Sequence, residues 1–129
     1  MKQPTPSATD RQLGAALAHA IAAQDADALR ALLSTAVTFR AVTPSRVWDA
    51  DTASGAADVI LGVWFGSQKK VTGITSLETD EVGDVQKVSY RLSVDLESGP
   101  SVIEQVVFYT QAEGQIIDLR LVCSGFRPV

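Results

Sequence analysis

Apolar residues change their spacing at Lys69: before it they mostly recur every three or four positions, interrupted by one strand-like run, and after it they alternate. Leu13, Leu17, Ala20, Ile21 and Gln24 form one helical stripe, capped at its start by Thr9 or Asp10 and running to about Ala23. The face is rich in alanine, so another element can approach closely. Asp25 caps a shorter second helix with Ala28, Leu29, Leu32 and Leu33 on its buried side, and the short link packs the two helices together. Val37–Val42 is β-branched and aromatic and reads as a strand stopped by Pro44, followed by a loop over residues 43–49. Ser54 caps a third helix with Val59, Ile60, Val63 and Trp64 inward, and Gly66 ends it. Residues 1–8, with two prolines, read as a mobile tail ahead of a single domain over 9–129.

From Lys69 the period is two. Strands are expected over 70–79, 85–97, 101–111 and 115–124, with turns at Gly83-Asp84, Ser98-Gly99-Pro100 and Glu113-Gly114. Val88, Tyr90, Leu92, Val94 and Leu96 alternate with Lys87, Ser89, Arg91, Ser93 and Asp95, the mark of a sheet with one dry and one wet face. A two-residue turn at Glu113-Gly114 pairs Ala112 with Gln115, Phe108 with Leu119, Val106 with Leu121 and Glu104 with Cys123. The order α-α-β-α-β-β-β-β segregates strands after helices, which indicates an α+β fold and not a parallel α/β sheet.

Composition narrows the function classes. The 129 residues are 46% hydrophobic and 20% charged, which suits a globular chain. A net charge of −4, with basic residues scattered apart from Lys69-Lys70, gives no footprint for nucleic acid. No apolar run approaches the ~20 residues of a membrane span. The start, Met1 to Ser7, has no secretory apolar stretch, so a cytoplasmic protein is expected. One cysteine, Cys123, excludes an internal disulfide, and one histidine, His19, argues against a zinc site built from Cys and His. Neither a calcium-type acidic loop nor a glycine-rich phosphate loop is present, and no metal or cofactor is expected.

Three segments carry a family likeness: Ala22-Ala23-Gln24-Asp25-Ala26-Asp27-Ala28-Leu29-Arg30-Ala31-Leu32-Leu33, then Val63-Trp64-Phe65-Gly66, then the terminal hairpin from Glu104-Gln105 to Arg127-Pro128. With the element order they make the chain resemble the nuclear-transport-factor-2-like (NTF2-like, SnoaL-like) superfamily. The resemblance implies a cone-shaped α+β roll, a curved and mostly antiparallel sheet packed on the N-terminal helices. It further implies an apolar pocket inside the cone and a homodimer formed through the outer sheet face. The superfamily includes isomerases, dehydratases, epoxide hydrolases, polyketide cyclases and binding modules, so function must be argued from the site.

The chemistries of that superfamily map poorly onto these residues. The tyrosine, base and third acid of steroid-isomerase-like members fall on Leu17, near Arg40 and near Val106, none of which can do that work. Asp118 and Arg120 share a face as an epoxide-hydrolase pair would, but no second carboxylate accompanies them, and an exposed ion pair is the plainer reading. His19, the cyclase candidate, lies off the apolar stripe of its helix and faces solvent.

Glu104 is the catalytic candidate, because the register above puts it on the apolar concave face, where burial raises a carboxyl pKa toward acid–base use. Ligand-binding candidates are Arg40, Arg46, Trp48 and Asp49, near the expected mouth of the cone, with Trp64 and Tyr90 on apolar periods. Cys123 reads as a small buried hydrophobe. The same register puts Ile103, Val107, Tyr109, Ile116 and Val122 on the outer face, and so apolar a face predicts a homodimer. Two functions follow: a binding protein for a small hydrophobic molecule, or a cofactor-independent lyase, isomerase or cyclase using Glu104.

Overall fold

The computed structural model describes residues 6–129, with side chains from Leu13 onward. Helix α1 spans Pro6–Ala22, α2 Ala26–Leu32 and α3 Ala53–Ala57, and α3 continues as a π-helical segment, Asp58–Val63. The strands are β1 Leu33–Thr43, β2 Arg46–Ala50, β3 Lys70–Val82, β4 Val85–Leu96, β5 Gly99–Ala112, β6 Gln115–Cys123 and β7 Arg127–Pro128. They form one curved, unclosed sheet in the order β2-β1-β6-β5-β4-β3. Only β1 and β6 run parallel, and β7 pairs beside β5 off that order. Helix α1 lies across β3 and β4, so the α+β class read from the apolar periods and the cone that the resemblance implies are the fold observed.

Several boundaries differ from expectation for local reasons. Residues 1–5 of the expected tail lie outside the described residues, whereas residues 6–8 already belong to α1. Proline is tolerated there because the first turn has no intrahelical partner for its missing N–H. Asp25 caps α2 as expected, accepting from Ala28 N at 3.1 Å. Residues 43–49 are not a loop: a tight turn after Thr43 starts β2, which pairs with β1 from Thr43↔Arg46 to Phe39↔Ala50. Thr43 Oγ1 stabilises this hairpin, accepting from Trp48 Nε1 at 3.0 Å and donating to the Arg46 carbonyl at 3.2 Å.

The third helix is capped by Thr52, whose Oγ1 accepts from Gly55 N at 2.9 Å, and not by Ser54. Its later turns are wide. Trp64 N bonds to Val59 O at 3.1 Å and Gly66 N to Leu61 O at 3.0 Å, each five residues back. This widening makes Ile60, Leu61, Trp64 and Phe65 the inner face and turns Val63 out to 55% exposure, contrary to its expected place inside.

A single extra residue decides the sheet's two faces. Glu113 and Gly114 both take positive φ (54° and 78°), the two-residue turn expected from sequence, and Ala112 pairs with Gln115. The ladder then slips between Thr110 and Gln111. Gln111 faces Ile116, but Thr110 faces Asp118, so Ile117 is the additional residue of a β-bulge. Beyond it Tyr109 pairs with Leu119, Val107 with Leu121 and Gln105 with Cys123. The expected pairings of Phe108 with Leu119, Val106 with Leu121 and Glu104 with Cys123 are each off by one. Ile103, Gln105, Val107 and Tyr109 therefore point into the core, and Glu104, Val106 and Phe108 point away from it.

Four of the five residues expected at a dimer interface are thus core residues: Ile103, Val107, Tyr109 and Ile116 are 0–2% exposed. Val122 alone of that set lies on the outer face, at 52% exposure.

Candidate functional site

The interior of the cone is bounded by α1, the π-helical segment and the concave sheet face. Leu17, Ile21, Ile60, Leu92, Ile103, Val107 and Leu119 are fully buried in it, so no water-sized void touches them. Into this apolar packing β4 and β5 carry Tyr90 and Gln105 at directly paired positions, with Gln86 and Ser101 also buried on the same two strands. A buried amide is costly unless its donor and acceptor are both used. Here the Tyr90 hydroxyl donates to Gln105 Oε1 at 2.6 Å, and Gln105 Nε2 donates to Cys123 Sγ at 3.5 Å. Gly125 N also donates to that sulfur, at 3.4 Å. Burial pushes the Tyr90 hydroxyl pKa far above its ordinary value, with the neighbouring Cys123 adding to the rise. Tyr90 is therefore a neutral donor throughout the physiological range.

Trp64 brings a further polar atom. The π-helical turns swing its indole inward against Phe39 (ring centroids 6.4 Å apart) and edge-on to Trp48 (6.2 Å). Its Nε1 is buried and has no hydrogen-bond partner. No carboxylate or imidazole is among the buried side chains of the described residues, and no cluster of three His, Cys, Asp or Glu is found among them. This arrangement can orient a polar atom of an otherwise apolar molecule.

The other sequence candidates lie outside the interior. Glu104 is on the outer face with a 44% exposed side chain, ion-paired to Arg127 and 3.7 Å from Arg91. The expectation that it faces the concave side is corrected by the bulge at Ile117. Arg40 and Asp49 meet as an ion pair at 2.8 Å. They line an open cleft of about 450 Å³ with Thr38, Asp51 and Arg120, the guanidinium-bearing Arg40 and Arg120 standing at paired positions of β1 and β6. Arg46 stacks on the Trp48 ring at 3.8 Å. The Asp118–Arg120 pair is an exposed contact at 3.3 Å, and His19 is exposed as expected.

Gln105 is the residue sequence reasoning missed. It sits in Val102-Ile103-Glu104-Gln105-Val106-Val107, where either face carries one polar residue among apolar ones, so alternation alone does not choose between them. Only the bulge does.

No protein-family model and no characterised protein sequence matches the chain. Solved structures do. A proposed isomerase from Bacillus subtilis is 12% identical at a TM-score of 0.69, over 92% of this chain and 85% of that one. A proposed SnoaL-like polyketide cyclase from Jannaschia sp. CCS1 is 20% identical at 0.63, over 95% and 91%. An LEH-like epoxide hydrolase from M. tuberculosis is 11% identical at 0.65, over 91% and 84%. At these identities the likeness speaks for architecture. With two helices first, a third between β2 and β3, a bulged and mostly antiparallel sheet and one parallel β1–β6 pairing, this chain has the NTF2-like fold shared by SnoaL-like and ketosteroid-isomerase-like proteins.

Proposed function

We propose that this protein binds a small hydrophobic molecule inside the cone, with Trp64 and Tyr90, joined by Gln105, orienting the ligand's polar atom. One observation carries the reading: the buried indole N–H of Trp64 has no hydrogen-bond partner, whereas the Tyr90–Gln105–Cys123 thread is matched donor to acceptor. An orphaned buried donor costs about 1–3 kcal/mol, and a ligand carbonyl would satisfy it. The interior is filled in the state described, so binding requires side chains to yield. Arg40, Arg46, Trp48 and Asp49 then belong to the surroundings and not to the ligand's contacts, apart from Trp48 against the back of Trp64.

The solved neighbours support a small molecule as the partner, since they include proteins described as isomerases, cyclases and an epoxide hydrolase. The alternative, a cofactor-independent lyase, isomerase or cyclase with Glu104 as acid or base, would need Glu104 to act from the outer face, beside two arginines. The binding reading is tested by titrating 2-decalone, an apolar bicyclic ketone, against the fluorescence of the buried tryptophan. Saturable quenching is expected in the native chain and its loss in Trp64→Phe. An unchanged spectrum at millimolar ketone would sink the reading.

The protein's own second copy is the proposed protein partner, seated on the outer face. Val42 pairs with Val122 and Val122 with Val106, an apolar row across three strands with Phe108 beside it. Val42, Val122 and Phe108 are exposed. Val122→Asp should convert a dimer to a monomer in sedimentation; a monomeric native chain at micromolar concentration would overturn this.

A further inference from the structure

Beyond Cys123 the chain crosses one end of the cone and touches three separate elements there. Ser124 N donates to Glu104 O at 2.9 Å, and Ser124 Oγ accepts from Glu104 N at the same distance. Gly125 has φ +74°, and a Cβ at that position would lie 2.9 Å from Pro44 Cγ in the β1–β2 turn. Phe126 then stands edge-on to Phe65 at the end of the π-helical segment, with ring centroids 5.6 Å apart at 88°. The Lys69 ammonium lies 4.6 Å from the Phe126 ring centroid and donates to the Trp64 carbonyl at 2.9 Å. Arg127 closes on Glu104, β7 pairs with Ser101 and Val102, and Val129 N reaches Pro100 O at 3.3 Å. Directly behind this crossing lies the sulfur of Cys123, the last member of the Tyr90–Gln105–Cys123 thread.

Beyond Ser124, whose two hydrogen bonds to Glu104 root the segment, the fastenings are light. An ion pair between half-exposed side chains contributes little, a two-residue ladder opens easily, and Arg127, Pro128 and Val129 are exposed. Phe126 is the one apolar anchor. Its ring occupies a place with an aromatic wall, Phe65, and a cation, Lys69, which the ring can engage only through its face. A flat ring bearing its own carboxylate or sulfonate would keep the contact with Phe65 and give the ammonium a full negative charge.

We propose that residues 124–129 are a displaceable strap over this end of the cone, and that the seat of Phe126, between Phe65 and Lys69, is a binding site for an aromatic anion. The proposal deepens the small-molecule reading and rests on it only for what lies beyond the seat. The strap is the part of the wall that yields, and Phe126 holds the place of the ligand's ring until it arrives.

Cys123, the chain's single cysteine, reports strap opening without any ligand. The experiment measures its alkylation by iodoacetamide alongside binding of 1-anilinonaphthalene-8-sulfonate, for the native chain, Phe126→Ala, Phe126→Leu and Phe126→Ala/Lys69→Met. Thermal melts confirm that each variant is folded. Phe126→Ala should speed alkylation and tighten probe binding by about tenfold or more, while Phe126→Leu, which keeps an apolar plug, stays near native. Adding Lys69→Met should remove at least fivefold of the gained affinity. Alkylation and affinity within twofold of native in folded Phe126→Ala would overturn the strap, and an unaltered affinity on adding Lys69→Met would overturn the anion site. If Phe126→Ala does not fold, Arg127→Ala loosens only the surface tether; it should raise the alkylation rate severalfold, and a native rate counts against the strap. Absence of 2-decalone binding together with these changes would reject the interior ligand and leave the strap standing; 2-decalone binding without them would do the reverse.

Discussion

The Tyr90 hydroxyl bonds to Gln105 Oε1 at 2.6 Å between directly paired positions of β4 and β5, inside an otherwise apolar cone. Removing one partner strands the other. Tyr90→Phe leaves an amide oxygen without its donor, and Gln105→Leu leaves a buried hydroxyl without its acceptor; each should cost about 1–3 kcal/mol in urea unfolding. The double variant should cost less than the sum, with a coupling of about 1–2 kcal/mol. Additive losses would mean that the two groups do not hold each other.

The same burial gives a pH dependence of defined sign. Tyr90's folded pKa is raised above the ordinary 10.0, foremost by desolvation. Below about pH 10 both folded and unfolded chains keep the proton, and the contribution to stability is fully present. As pH rises past that value the unfolded chain releases its proton while the folded one retains it, so stability falls progressively. Urea midpoints measured from pH 8 to 11 should drop at the alkaline end, and Tyr90→Phe should flatten that drop. Equal slopes for both proteins would show that Tyr90 is not the group responsible.

How much of this was legible beforehand depends on what each element needed. Asp25 capping α2, the alternation in β4 and the Glu113-Gly114 turn were readable because each is local: a short polar cap, a period of two, two positive φ angles. The inward side of β5 was not readable. Ile103, Val107 and Tyr109 compete with Val102, Val106 and Phe108 for the core, and the winner is set by one bulged residue at Ile117, itself preceded by another isoleucine. That slip moved Glu104 from the candidate chamber to the outer face and brought Gln105 in. Trp64 was expected inward and lies inward, but Phe65 joining it and Val63 turning out need bonds five residues back, which no helical period of 3.6 anticipates. The Phe126 crossing depends on Pro44, Phe65 and Lys69, which meet it only in the folded chain.

The register itself makes an unequal pair of variants. Tyr109→Ala removes a ring that is 2% exposed and should cost about 3–5 kcal/mol. Phe108→Ala, one residue away on the outer face, should cost about 1 kcal/mol or less in the monomer. Glu104→Gln breaks only ion pairs between partly exposed groups and should likewise stay within about 1 kcal/mol. The register read from alternation alone would invert the first two. Denaturant midpoints of Tyr109→Ala and Phe108→Ala, compared directly, decide between them.

At Gly14 helix α1 packs tightly against the sheet. A Cβ added there would lie 2.8 Å from Tyr109 Oη, 3.3 Å from Tyr109 Cε1 and 3.1 Å from Val88 Cβ. Two effects oppose each other in Gly14→Ala. Alanine is the better helix former by about 0.8–1 kcal/mol in a helix interior. Against that, overpacking a tight core costs about 1–3 kcal/mol. The clash should win, because Val88 Cβ is fixed to its backbone and the Tyr109 ring is buried on every side. The expected result is a net loss of about 1–2 kcal/mol in urea unfolding. In a Tyr109→Phe background the 2.8 Å contact is gone, so the same substitution should cost clearly less. An identical cost in both backgrounds would mean that α1 shifts as a body and that Tyr109 does not set how close the helix can come.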